Sequence, residues 1–266
     1  MASPKLLVPG VAVLVGLNYV FTELLDESGL HVLLLTGTLE TARGNATALA
    51  AFRALADIAD EMSDPSESGA LRFELIEQQP PPPQQQHSGY VPVISATLVH
   101  RRPLEGTPLL PQWLGMGTND FKVRETLRLR TVWPERARWL VPSYSIEPGS
   151  LREIGRLSLL VQQRTYRVEK EAADAFRRSW TDLGYNALTE AGVLRCDLLQ
   201  SDEEPTLFVA RKVFRHSAAL VAHEASAHYA RWRDAVLPAL SGTATTMLFD
   251  TIHPRTSIMP FRSRWA

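Results

Sequence analysis

The segment His223-Glu224-Ala225-Ser226-Ala227-His228 holds two imidazoles and a carboxylate within six residues, groups that can carry protons or ligate a metal. Its spacing does not make a zinc-protease motif, which needs histidines four apart so that both leave one face of a helix. Five steps of about 100° put His223 and His228 roughly 140° apart on an unbroken helix, so no metal is assigned to them. What remains for His223 and His228 is proton transfer or hydrogen bonding beside a pocket, or a structural role tying helix to sheet. Around them stand Trp180, Tyr185, Asn186 and Trp232. An aromatic box with amide and indole donors suits a substrate whose anion must be stabilised away from water, although Trp180 is also in register with a core stripe. Arg195, always charged, could hold an anionic group.

These residues need a frame, and the frame is repeated. Gly69-Ala70-Leu71-Arg72-Phe73-Glu74-Leu75-Ile76 is echoed by Gly192-Val193-Leu194-Arg195-Cys196-Asp197-Leu198-Leu199. Ala51-Phe52-Arg53 is echoed by Ala175-Phe176-Arg177, and Ala96, Val99 and Arg101 by Ala210, Val213 and Arg215, all in the same order. The last match falls nearer by about the length of a Pro- and Gln-rich insertion, Pro80 to Ser88, which reads as a surface loop. Each copy shows the same grammar. Strands are expected at His31–Glu40, Leu71–Gln78 and Val91–His100, and again at Leu157–Tyr166, Leu194–Gln200 and Thr206–Phe214. Apolar stripes at helical spacing follow the first strand of each copy: Phe52, Leu55, Ala56, Ala59 and Met62, then Ala172, Ala173, Phe176, Trp180 and Leu183. In the second copy Ser217 caps a helix through Ala222, Ser226 caps another to Leu237, and Thr243–Ile252 is a closing strand. In the first copy, Phe121–Leu129 is read as a helix and Trp139–Ile146 as the last strand. The fold class is α+β, with two βαββαβ units in tandem.

The second copy resembles the antibiotic-biosynthesis-monooxygenase (ABM) family over about Leu157 to Ile252. The resemblance rests on Gly192-x-Leu194, Phe208, the aromatic Phe214, then Ala219-Leu220-x-x-His223 and Ser226-x-His228-Tyr229. The position two before the aromatic, where that family often carries glutamate, is Lys212 here. The first copy matches only through its likeness to the second and lacks the His segment. The resemblance implies ferredoxin-like units that pair as a dimeric α+β barrel, here as an intrachain pseudo-dimer. It implies a small hydrophobic or aromatic substrate and a cofactor-independent monooxygenase or isomerase, with no cofactor. His223, His228 and Asn186 would be catalytic, and Trp180, Tyr185, Arg195 and Trp232 would bind substrate. A non-catalytic small-molecule-binding or protein-interaction module is the alternative, and haem binding a lesser one.

Composition sets the outer limits. With 28 basic and 29 acidic residues the net charge is −1, which gives no polyanion footprint, so no nucleic-acid partner is expected. A single cysteine, Cys196, rules out an internal disulfide or a cysteine-rich zinc site and reads as a small apolar strand residue. Gly115-x-Gly117 lacks a third glycine and a preceding strand, so it is no dinucleotide fingerprint. Leu6–Phe21 is apolar but broken by Pro9, Gly10, Gly16 and Asn18, so a packed segment is favoured over a leader and no membrane span is expected. The domain reading is a 1–28 N-terminal apolar segment, a divergent 29–150 unit, a 151–252 unit and an extended 253–266 tail. The protein is expected in a soluble cytoplasmic or organellar compartment, with secretion and homo-oligomer formation left open.

Overall fold

The computed structural model describes residues 30–39, 70–80, 93–100, 121–133 and 159–253. The strands are β1 (His31–Leu39), β2 (Ala70–Gln78), β3 (Val93–His100), β4 (Phe121–Trp133), β5 (Leu160–Arg167), β6 (Val193–Ser201), β7 (Leu207–Phe214) and β8 (Thr245–His253). Helix α1 (Ala173–Ala187) joins β5 to β6, and α2 (Ser217–Glu224) and α3 (Ala227–Val236) join β7 to β8.

The eight strands close into one antiparallel barrel in the order β1-β3-β2-β8-β5-β7-β6-β4. Cut at its two joins, the barrel gives β4-β1-β3-β2 and β8-β5-β7-β6, the same order twice. The repeat seen in sequence is therefore a repeat of topology. Each unit leaves two edge strands, and each edge is covered by the other unit: β2 pairs with β8, and β4 with β6. Closure removes every exposed edge, the usual liability of an open sheet.

Alternation along each strand divides the side chains between the barrel interior and the outer, helix-covered face. On β7, Val209, Arg211 and Val213 point inward, whereas Phe208, Ala210, Lys212 and Phe214 point to the helices. The interior is apolar towards both ends. At one end Val32, Leu34, Val99 and Leu129 of the first unit meet Leu199 and Val209 of the second. At the other, Ile76 meets Val161, Val213 and Phe249. Between them lies a buried polar layer. Arg195 donates to Glu74 and to Asp197. Arg211 donates to Thr97, to Gln163 at 3.1 Å and to Glu74 at 3.3 Å. Two guanidinium groups against two carboxylates keep this layer neutral, which is what makes buried charge tolerable. Glu74 and Asp197 are the acidic members of the repeated block, so the shared pattern of the two copies meets itself across the barrel.

Two sequence expectations change. Phe121–Trp133 is a strand, not a helix ending at Leu129. Its odd positions, from Phe121 to Leu129, carry most of the apolar side chains, while Lys122, Arg124, Arg128 and Arg130 alternate with them, a period of two. A register shift between Thr131 and Trp133 then sends Trp133 outward onto α1, as bulges do. It lands on Gly184, where a Cβ would lie 2.6 Å from the indole ring. The N-cap of α2 is His216 rather than Ser217: its Nδ1 accepts the Ala219 amide at 3.2 Å. Ser226 caps α3 as expected, accepting from Tyr229 N–H. The helical stripe at Phe52–Met62, the strand at Trp139–Ile146, the insertion after Pro80 and the N-terminal segment lie outside the described residues, as does the tail beyond His253.

Candidate functional site

The outer face of the second unit's sheet is covered by α1, α2 and α3, and the space between them is dominated by aromatic rings. Phe176 and Trp180 come from one stripe of α1, and Tyr229 and Trp232 from α3. The sheet contributes Tyr166, Phe208 and Phe214. Trp180 and Trp232 meet edge to face with centroids 5.3 Å apart, and Tyr166 meets Trp232 the same way at 6.0 Å. Edge-to-face contacts of this kind fix ring orientation. The indole N–H groups of Trp180 and Trp232 are buried and have no hydrogen-bond partner among the described residues. An unpaired buried donor costs about 1–3 kcal/mol, and here both indoles lie in one cluster.

Lys212 enters this cluster from β7. It is 1% exposed, and its Nζ lies 4.6 Å from the Tyr229 ring centre, 5.3 Å from Trp180 and 5.7 Å from Trp232. Three ring faces and edges around an ammonium give cation–π attraction that partly replaces lost water. Its direct partner is His223, with Nζ 2.8 Å from Nε2. Burial lowers the lysine pKa from 10.5 to about 8.

The His segment works through a break in the helix. α2 stops at Glu224, and Ser226 takes an extended conformation before α3 begins. The break turns both imidazoles towards Glu190, from the turn after α1. His223 Nδ1 lies 2.7 Å and His228 Nε2 2.8 Å from the same oxygen, Glu190 Oε1. An ammonium only donates and a carboxylate only accepts. The hydrogen positions follow: His223 accepts from Lys212 at Nε2 and donates to Glu190 from Nδ1, while His228 donates from Nε2. Burial, with the charge of Lys212 next, holds the His223 pKa down at about 2, so this ring stays neutral. Burial raises the Glu190 pKa, opposed by the hydrogen bond and charge of His228. Arg164 from β5 borders the group, donating to the Tyr229 hydroxyl and to Glu224 at 2.6 Å, and Gln162 donates to the same Glu224 oxygen at 2.9 Å. The Cys196 thiol, on the helix-facing side of β6, is fully buried, and burial pushes its pKa up to about 12.

Of the residues singled out from sequence, Trp180, Trp232, His223 and His228 come together here. The other three lie elsewhere. Tyr185 is 45% exposed and rests edge-on against Trp133 of the first unit at 5.6 Å. Asn186 donates to the Asp182 carbonyl of its own helix at 2.7 Å. Arg195 belongs to the barrel interior. Sequence reasoning passed over Glu190, Arg164 and Tyr166, and treated Lys212 only as a missing glutamate. A signal for Lys212 existed: it occupies an apolar slot in the Phe208, Ala210, Phe214 alternation. Nothing in the turn around Glu190 marks it.

A barrel of two four-stranded units, with helices over an outer face that encloses an aromatic cluster, defines the class of dimeric α+β-barrel proteins. Residues 159–235 match the family described as antibiotic biosynthesis monooxygenase, so the second unit is an ABM domain. Solved structures agree over the whole barrel. A protein of Fusobacterium nucleatum subsp. nucleatum ATCC 25586, provisionally described as a monooxygenase, is 8% identical with a TM-score of 0.62, covering 85% of this chain and 94% of its own. One of Lactobacillus acidophilus NCFM, with the same provisional description, is 11% identical with a TM-score of 0.56, covering 83% and 93%. A protein described as anthrone oxidase-like is 10% identical with a TM-score of 0.53, covering 85% and 93%. At such identities these similarities establish the fold alone. No curated protein matches the sequence. Among the described residues no helix is long and apolar enough to cross a membrane.

Proposed function

We propose that the second unit is a monooxygenase-type enzyme acting on a small aromatic or otherwise hydrophobic molecule that reacts as its anion. The observation that carries this reading is Lys212. A buried ammonium among aromatic rings, beside two indole N–H groups without partners, is a place where a flat organic anion is stabilised. An activated methylene compound or phenol would lose its proton to water and bind as the carbanion or phenolate. For a methylene substrate the anion passes an electron to dioxygen, and the two radicals combine into a C–O bond. The peroxide anion takes up a proton and expels water, leaving a carbonyl. One CH2 group and one O2 give one C=O and one H2O, so no external reductant is required.

In this scheme His223 and His228 are positioning residues rather than the proton carriers expected from their sequence. His223 presents one acceptor to Lys212 because Glu190 holds its other nitrogen, and His228 helps to fix that carboxylate. Asn186, Tyr185 and Arg195 have no part in it.

The experiment is oxygen uptake with anthrone-type methylene compounds and 1-naphthol-type phenols, comparing the unaltered chain with Lys212→Met. Uptake that depends on the chain, with carbonyl or quinone product, and that falls by at least about 100-fold in the variant supports the reading. Full activity in Lys212→Met overturns it. Binding of these compounds without uptake favours instead a small-molecule-binding module, for which the two unpartnered indoles speak equally.

A further inference from the structure

We infer that Glu190, His223 and His228 form a binding site for a single divalent cation of the zinc class. Each offers one ligand atom, and Glu190 Oε1, His223 Nδ1 and His228 Nε2 all lie within 4.8 Å of one another. Both ring nitrogens already converge on one carboxylate oxygen, at 2.7 and 2.8 Å. Ligands 2.0–2.2 Å from a tetrahedral zinc ion stand about 3.3 Å apart. To seat an ion, the carboxylate must move outward by roughly half an ångström, and the two ring nitrogens, which lie within 4.8 Å of each other, must close towards that same separation. Two imidazoles with one carboxylate suit zinc, cobalt or iron and do not suit magnesium or calcium. Three protein ligands also leave a position for water, the pattern of an open rather than a closed metal site.

Three features around the triad favour an ion over a purely structural cluster. The ligands come from two separate places, the turn after α1 and the two sides of the α2–α3 break, so their convergence is made by the fold and not by one helical face. Access exists: the Glu190 and His228 side chains are 20% and 19% exposed, while His223 is buried behind them. Outer partners are in place as well. Ser226 Oγ donates to the His223 carbonyl at 2.7 Å, which holds the break, and its 3.2 Å contact with His228 Nε2 gives way when that nitrogen takes the ion. His223 Nε2 faces Lys212 Nζ at 2.8 Å. Partners of this kind orient metal-bound imidazoles.

The inference does not depend on the enzyme reading, and its test uses no substrate. Zn2+ and Co2+ are titrated separately into the full chain by calorimetry, with visible absorption followed for Co2+ and Mg2+ as the control ion. The expected result is one ion per chain, a ligand-field band for Co2+ and no heat with Mg2+. Glu190→Gln and His228→Asn should each weaken binding by at least about tenfold. His216→Asn, which removes an imidazole elsewhere but keeps a capping side chain, should leave binding unchanged. Circular dichroism and a melt without metal show that each variant is folded, and His228→Asn alters a part-exposed side chain. Absence of stoichiometric binding overturns the inference, and so does binding that either triad variant leaves intact.

Discussion

Lys212 gives the most exposed quantitative consequence of this site, because its burial must appear in the pH dependence of stability. Its pKa is about 8 in the folded chain against an ordinary 10.5. Between those values the unfolded chain holds a proton on this group that the folded chain has released. Stability therefore rises with pH across that window. Below about 8 both states are protonated, and the full cost of burying the charge is present. A lowering of that size, at about 1.36 kcal/mol per pH unit, comes to about 3 kcal/mol. Replacement by methionine keeps the length of the side chain and removes the charge. It also removes the donor to His223 Nε2 and the contacts with three rings, so near neutral pH the variant should be between equally stable and about 2 kcal/mol more stable. The clean quantity is the difference between the two chains, since other titrating groups cancel in it. Urea unfolding of both chains at intervals from about pH 7 to about pH 11 yields that difference. It should move by about 3 kcal/mol in favour of the unaltered chain, most of it between about 8 and 10.5. A difference that stays flat within about 0.5 kcal/mol would show that Lys212 titrates normally, and the buried-ammonium site would fall with it.

Other consequences are independent of that one. Gly184→Ala puts a Cβ 2.6 Å from the Trp133 ring, so it should cost about 1–3 kcal/mol in urea unfolding; an unchanged midpoint would mean that Trp133 does not pack there. Arg195→Met leaves two buried carboxylates, Glu74 and Asp197, against the single guanidinium of Arg211 and should cost about 3–5 kcal/mol, read by the same unfolding measurement, with a loss under about 1 kcal/mol arguing against the buried layer. The Cys196 thiol, buried and with its pKa pushed up to about 12, should react with a thiol reagent only as fast as the chain unfolds; rapid labelling of the native chain would contradict its placement.

The strands of the barrel were legible because burial on two faces leaves β-branched and aromatic runs bounded by turn residues, and the repeated block tied the two copies together. Gly192, the first residue of that block, has a packing reason that sequence did not reveal: a Cβ there would run into Ala219 at the start of α2. β4 was misread because five charged residues between Phe121 and Arg130 resemble a solvated helix face, and its alternation becomes decisive only beside β1 and β6. The site was legible in half. His223, His228, Trp180 and Trp232 stood out by residue type, and the tandem of short helices could be expected from Ser226. How far the break turns the imidazoles, and that Glu190 waits between them, depends on how the turn after α1 packs against the start of α3. No local pattern encodes that contact. Arg195 looked like an anion holder and is instead part of a neutral layer, because the partner carboxylate Glu74 comes from the other copy.

The central claim, that the aromatic cluster around Lys212 receives an organic anion, is tested most directly by the indole signals of the chain. The sequence has six tryptophans, and nitrogen-15 spectra with Trp180→Phe and Trp232→Phe assign the two that matter. Addition of a naphtholate-type ligand should move those two indole N–H resonances downfield as they gain an acceptor, and the same addition to Lys212→Met should move neither. Shifts confined to other tryptophans, or equal shifts in the variant, would contradict the claim.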